Sequence, residues 1–122
     1  MRPPRFLLPS APCLSSGSRV ATSGTVADLL IDTDVFIDHL RGARSLEAGA
    51  DRLHYSVVTR CELLAGQKTQ EDVVQRLLEP LQELEVDRAV AERAGRLRRE
   101  TGVRTPDALV AATALEHRLT LV

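Results

Sequence analysis

Three acids in this chain fall where chemistry is commonly done: Asp32, Glu62 and Asp107. Asp32 ends the apolar run Leu29-Leu30-Ile31, and Phe36, Ile37 and Leu40 follow at helical spacing. A short unbroken apolar run is the pattern of a strand buried on both faces. Acids at the C-terminal end of such a strand sit where open α/β sheets bind ligands. Each acid also has a plain structural explanation. Asp32 can cap the helix that follows, and Glu62, three residues after Thr59, completes a capping box. Asp107 suits the first turn of a helix through the macrodipole. Taken together they say more. The strands of a parallel sheet end at one edge, so the loops into the following helices converge there. Carboxylates gathered at that edge repel one another unless cations hold them. Ligands that are all oxygen suit Mg²⁺ or Mn²⁺, which keep several waters and bind phosphate oxygens. A pair of such ions activates water and stabilises the leaving oxygen in phosphodiester hydrolysis. His39, His54 and His117 show no ligand spacing and read as surface or packing residues. Cys13 and Cys61 give neither zinc spacing nor a disulfide framework.

The elements that must position these acids alternate in type. A strand is predicted over residues 29–31 and a helix over 35–40, ended by Arg41-Gly42. A short helical turn is predicted over 45–49 and a second strand over 54–58. Thr59 is expected to cap a helix over 60–65, closed by Gly66. A third helix runs over 70–78, with Val73, Val74, Leu77 and Leu78 on one face. A weakly signalled strand follows over 84–86. Asp87 caps a helix over 89–101, with Gly102 as its stop. Thr105-Pro106-Asp107 is a strong helix start, with Thr105 as cap, for a helix over 108–117. A last strand covers 119–122. Strands alternating with helices imply βαβ units and a parallel sheet.

Composition narrows the field. A chain of 122 residues, 43% of them apolar, has room for one domain with a modest core. Aromatics are only 2%, so the core is Leu, Val and Ala, and the composition argues against aromatic platforms for stacking bases. A formal charge of −1 gives no bulk attraction to nucleic acid or membrane. Residues 1–27 carry Arg2, Arg5 and Arg19 without an acid and are rich in Pro, Ser and Gly. They read as a disordered N-terminal extension, such as an over-long reading frame starting properly near Val26 would give, against a transit peptide or a weak secretory signal. The folded domain is expected over residues 28–122. Two cysteines without a framework make a reduced, cytoplasmic setting the default. No apolar run approaches the ~20 residues of a membrane span, so no membrane association is expected. Arg88, Arg93, Arg96, Arg98, Arg99 and Arg104 gather ahead of the third acid. They read either as a source of phosphate attraction or as a solvated helix surface interleaved with Glu92 and Glu100.

Three stretches in order, LLIDTDVFIDHLRG, SVVTRCELLAG and RTPDALVAATALEHRLTLV, resemble the PIN-domain nucleases and, within them, the VapC toxins of type II toxin–antitoxin pairs. The resemblance runs from about Ala27 to Val122. It implies a three-layer α/β/α fold around a central parallel sheet. It carries over Asp32, Glu62 and Asp107 as the catalytic, metal-binding acids, with Thr33 and Asp34 in support. The implied activity is a Mg²⁺- or Mn²⁺-dependent endoribonuclease that hydrolyses RNA phosphodiester bonds. The implied partners are a cognate VapB-type antitoxin, which blocks the acidic site, and a second copy in a homodimer. The family pattern continues past the last strand to a fourth acid, whereas this sequence stops at Val122. That departure motivates an alternative: a truncated, catalytically weak or inactive PIN domain that acts only by binding an antitoxin. Asp32-Thr33-Asp34 also looks like the nucleophile pair of haloacid-dehalogenase-type phosphatases. That reading requires a lysine, for which only Lys68 is present, and a later acidic pair that is missing after Asp107.

Overall fold

Four parallel strands form the centre of the computed structural model, which describes residues 26–43, 46, 49, 51–66 and 68–122. The elements run β1 (Asp28–Leu30), α1 (Thr33–Leu40), β2 (Arg52–Ser56), α2 (Val57–Leu64) and α3 (Glu71–Leu78). They continue with β3 (Gln82–Leu84), α4 (Arg88–Thr101), α5 (Thr105–Glu116) and β4 (Thr120–Leu121). Leu30 pairs with His54 of β2 on one side and Leu121 of β4 on the other, and Ser56 pairs with Leu84 of β3. The expected α/β fold with a central parallel sheet is what the chain adopts.

Alternation along β1 divides the core into two. Leu29 and Ile31 face one side, packing with Phe36, Leu53, Tyr55, Leu63, Val74 and Leu78 beneath α1, α2 and α3. Leu30 faces the other, against Val110 and Ala114 of α5. Successive strand residues point to opposite faces, so a strand covered on both must be apolar at every position. That is why Leu29, Leu30 and Ile31 are apolar in succession between Asp28 and Asp32. Outside α5, α4 packs through Val90 and Ala94 against Ala108 and Ala112, where small side chains let the two helices approach closely. Helices cover both faces of the sheet, giving three layers.

Several boundaries differ from expectation. β2 ends at Ser56 rather than residue 58, and the Ser56 hydroxyl, not that of Thr59, caps α2 by accepting from the Val58 N–H at 3.1 Å. Thr59 lies inside the helix and is fully buried. β3 occupies 82–84, two residues before the predicted strand. Pairing with β2 decides this, since Gln82-Glu83-Leu84 has no apolar alternation of its own whereas Leu84-Glu85-Val86 does. α5 begins at Thr105 itself, with Arg104 at the cap position and no side-chain cap bond. Asp87 and Gly102 bound α4 as expected: the Asp87 carboxylate accepts from the Val90 N–H, and Gly102 takes the left-handed φ of 74°. Most of the predicted turn over 45–49, and all but the end of the predicted extension over 1–27, lie outside the described residues.

Candidate metal centre at the strand ends

Sheet order fixes where a site can form. From β1 the chain moves outward to β2 and β3, then returns to add β4 on the other side of β1. The reversal falls between β1 and β4, and ligand crevices in open α/β sheets open at the strand ends flanking such a switch point. Asp32 stands there: its N–H donates to the Val122 carbonyl at 3.1 Å, joining the end of β1 to the end of β4. Its carboxylate caps α1 by accepting from the Thr33 N–H at 2.8 Å. The capping role expected of Asp32 is real. One carboxylate oxygen accounts for it, and the residue has a further interaction as well.

Glu62 reaches the same place from α2. Its Oε1 accepts a hydrogen bond from Thr33 Oγ1 at 2.7 Å, and Thr33 Oγ1 lies 3.0 Å from Thr59 Oγ1. Thr33, next to Asp32, therefore ties the first acid's helix start to the second acid. Because Ser56 caps α2, the capping-box explanation of Glu62 falls away. Its carboxylate is oriented by a side chain of α1, not by its own helix. Among the described residues Glu62 makes no ion pair. The neighbouring guanidinium of Arg60 is committed elsewhere: Nε to Glu83 at 2.6 Å, one terminal nitrogen to Gln75 at 2.7 Å, and the other to the Tyr55 hydroxyl at 2.7 Å.

Asp107 arrives by topology. α5 runs back to feed β4, which is parallel to β1, so the start of α5 lies at the edge where the strands end. Val110, one turn on, packs with Leu30 near the end of β1. The Asp107 carboxylate is half exposed and 3.5 Å from Arg104 Nε. Side-chain contact thus joins Asp32, Thr33 and Glu62, while Asp107 shares only their edge. No three Asp, Glu, His or Cys side chains stand close enough to hold one metal ion among the described residues. Asp34 is exposed in the first turn of α1. His39 accepts from the Leu46 N–H, and His54 contacts the Leu29 carbonyl, so both are tied to backbone.

The donor set suits a hard divalent cation, since every candidate ligand is a carboxylate oxygen. Mg²⁺ commonly takes one or two carboxylates and completes its shell with water and phosphate oxygens. Asp32 and Glu62 supply two such carboxylates, each hydrogen-bonded to Thr33. Sequence reasoning missed Thr59, which it assigned to a cap. The available signal was Ser56, an equally good cap residue three positions earlier that leaves Thr59 and Glu62 on one helix face.

The comparisons with known proteins agree with this architecture. The family model described as the PIN domain matches residues 29–122. No curated protein sequence matches the chain. Among solved structures, a toxin–antitoxin complex from Klebsiella pneumoniae is 34% identical with a TM-score of 0.67, covering 76% of this chain and 82% of that one. VapBC-5 from Mycobacterium tuberculosis, a member of the VapBC family of toxin–antitoxin systems, is 30% identical with a TM-score of 0.58, covering 78% and 82%. VapBC2 from Rickettsia felis, bound to a DNA fragment from its promoter, shares the fold at 17% identity, with a TM-score of 0.64 and coverage of 77% and 84%. A parallel sheet with its acids at the switch point, the family match over residues 29–122 and these neighbours lead to one assignment: the chain belongs to the PIN domain family, in its VapC-type branch.

Proposed function

We propose that this protein is the toxin of a toxin–antitoxin pair and acts as a divalent-metal-dependent endoribonuclease. The observation that carries the reading is the Thr33 hydroxyl bridging from the Asp32 helix start to Glu62 at the switch point of the sheet. Asp32 and Glu62 would hold Mg²⁺ or Mn²⁺, with Asp107 at the same edge completing the acidic set. The bound cation supplies a water of lowered pKa and stabilises charge on the phosphodiester. The chain's own residues do the positioning. The cap bond to the Thr33 N–H fixes one Asp32 oxygen, and the Thr33 hydroxyl fixes one Glu62 oxygen. Arg88, Arg96 and Arg99 are exposed on α4 and make no ion pair among the described residues, which suits attraction of RNA phosphates.

A VapB-type antitoxin is the proposed protein partner, supported by toxin–antitoxin complexes among the similar structures, and a homodimer and a cytoplasmic setting are proposed with it. No described helix is long and apolar enough to cross a membrane. A second reading, a domain that acts only by binding its antitoxin, draws support from Asp107, whose carboxylate is engaged by Arg104 and stands apart from the other two acids. Incubation of the purified chain with structured RNA and Mn²⁺ separates the two. The nuclease reading expects cleavage that EDTA stops and Asp32→Asn abolishes. Antitoxin binding without any cleavage establishes the second.

A further inference from the structure

We propose that Thr59 is a positioning residue for Glu62, acting through the hydroxyl of Thr33. The inference rests on the reading of Glu62 as a metal ligand. Thr33 Oγ1 donates to Glu62 Oε1 at 2.7 Å and lies 3.0 Å from Thr59 Oγ1. A hydroxyl carries one proton, and an ionised carboxylate can only accept. The Thr33 proton is therefore committed to Glu62, and the bond between the two threonines forms only with Thr59 as donor. The chain of bonds has a fixed direction, from Thr59 to Thr33 to Glu62.

The helix supplies the reason that Thr59 is available. Threonines inside helices commonly donate to the carbonyl four residues earlier. Thr101 does so to Leu97 at 2.7 Å, and Thr113 to Leu109 at 2.7 Å. Thr59 is the third residue of α2, and the residue four positions earlier, Tyr55, belongs to β2. Its proton is left for α1. Thr59 is fully buried and Thr33 is 6% exposed, so bulk water does not compete for the bond. With its oxygen held from behind by Thr59, the Thr33 hydroxyl has one direction in which to donate, and Glu62 lies there. Neighbours that orient a metal ligand in this way typically change metal affinity by about 10–100-fold when removed.

Titration calorimetry of the full chain with Mn²⁺ tests the proposal, with thermal melting run on the same samples. Thr59→Val keeps the shape and removes the donor, and is expected to weaken Mn²⁺ binding by roughly tenfold. Thr59→Ser keeps the donor and is expected to stay within about twofold of the unaltered protein. Thr59→Ala takes the place of the valine variant if that one does not fold. A lower melting temperature with unchanged Mn²⁺ affinity in the donor-less variant overturns the proposal, because a purely structural role predicts that pattern. Absence of Mn²⁺ binding by the unaltered protein defeats the metal-site reading instead. The positioning claim is then decided by crystal structures of the unaltered and Thr59→Val proteins. Departure of Glu62 Oε1 from hydrogen-bond distance of Thr33 in the variant upholds it, and an unmoved Glu62 overturns it.

Discussion

Glu62 takes its hydrogen bond from α1 and plays no part in capping its own helix, which separates its contribution to folding from its contribution to the site. Glu62→Gln retains an oxygen that can accept from Thr33 while removing the negative charge. Its stability is expected to stay within about 0.5 kcal/mol of the unaltered protein, with metal-dependent RNA cleavage lost. Ser56→Ala should behave in the opposite way. Loss of the cap on the Val58 N–H costs about 1 kcal/mol, and the Thr33–Glu62 bond is untouched. Urea denaturation and a cleavage assay on the two variants check both outcomes. A capping-box role for Glu62 would instead make its variant the less stable of the pair. At this scale Asp32 was legible in the sequence because an apolar run stops at it. Thr59 was not, since Ser56 and Thr59 are both good cap residues three positions apart. What decides between them is α1 packing over α2, a tertiary fact that no local pattern contains.

Helix ends show the same division between local signal and context. α4 announced both of its ends, through Asp87 and Gly102. The end of α5 gave no such sign, yet its geometry is a complete Schellman motif. The Leu119 N–H donates to the Ala114 carbonyl at 2.9 Å, and the Arg118 N–H to the Leu115 carbonyl at 3.3 Å. Leu119 also packs in the same cluster as Ala114, the apolar contact that accompanies this motif. The left-handed position, usually glycine, is filled by Arg118 at φ 56°. A side chain there costs roughly 1–2 kcal/mol, offset in part by the lower backbone freedom of a non-glycine residue in the unfolded chain. Arg118→Gly is therefore expected to raise stability by up to about 1 kcal/mol, read as a higher urea midpoint at unchanged slope. A lower midpoint would show that the arginine side chain contributes more than the strain it imposes. β3 was misplaced by two residues for a related reason. The alternation lies in Leu84-Glu85-Val86, but the pairing of Ser56 with Leu84, together with the bond from the Tyr55 hydroxyl to Glu83 at 2.9 Å, places the strand over Gln82-Glu83-Leu84.

Across the whole molecule, the order of elements was readable because a parallel sheet leaves a plain record of apolar runs, caps and stops. The polar tie that locks one side of it was not, because its members lie 5 to 28 residues apart in sequence. Arg60 of α2 joins Tyr55 of β2 to Glu83 of β3 and Gln75 of α3, and its guanidinium carbon stands 5.8 Å from the Tyr55 ring centre. The Arg60 hydrogen bond holds the Glu83 carboxyl below its ordinary pKa, while burial, with Glu83 as acceptor, pushes the Tyr55 phenol above its own. The signs differ at the two ends of the pH scale. A lowered carboxyl pKa stabilises the fold fully above the unfolded value of about 4.3, and the contribution disappears as pH falls through the lower folded value. A raised phenol pKa stabilises below about pH 10 and is lost as pH rises through the higher folded value. Asp28, held below its ordinary pKa chiefly by its hydrogen bond to Arg52, acts in the same direction as Glu83. That pair is exposed, however, so salt screens it. Unfolding in urea at pH 7, 5 and 3 and at moderate salt is thus expected to show a drop in stability below pH 4.5 that is smaller in Glu83→Gln than in the unaltered protein. An equal drop in both would move the acid sensitivity away from this tie.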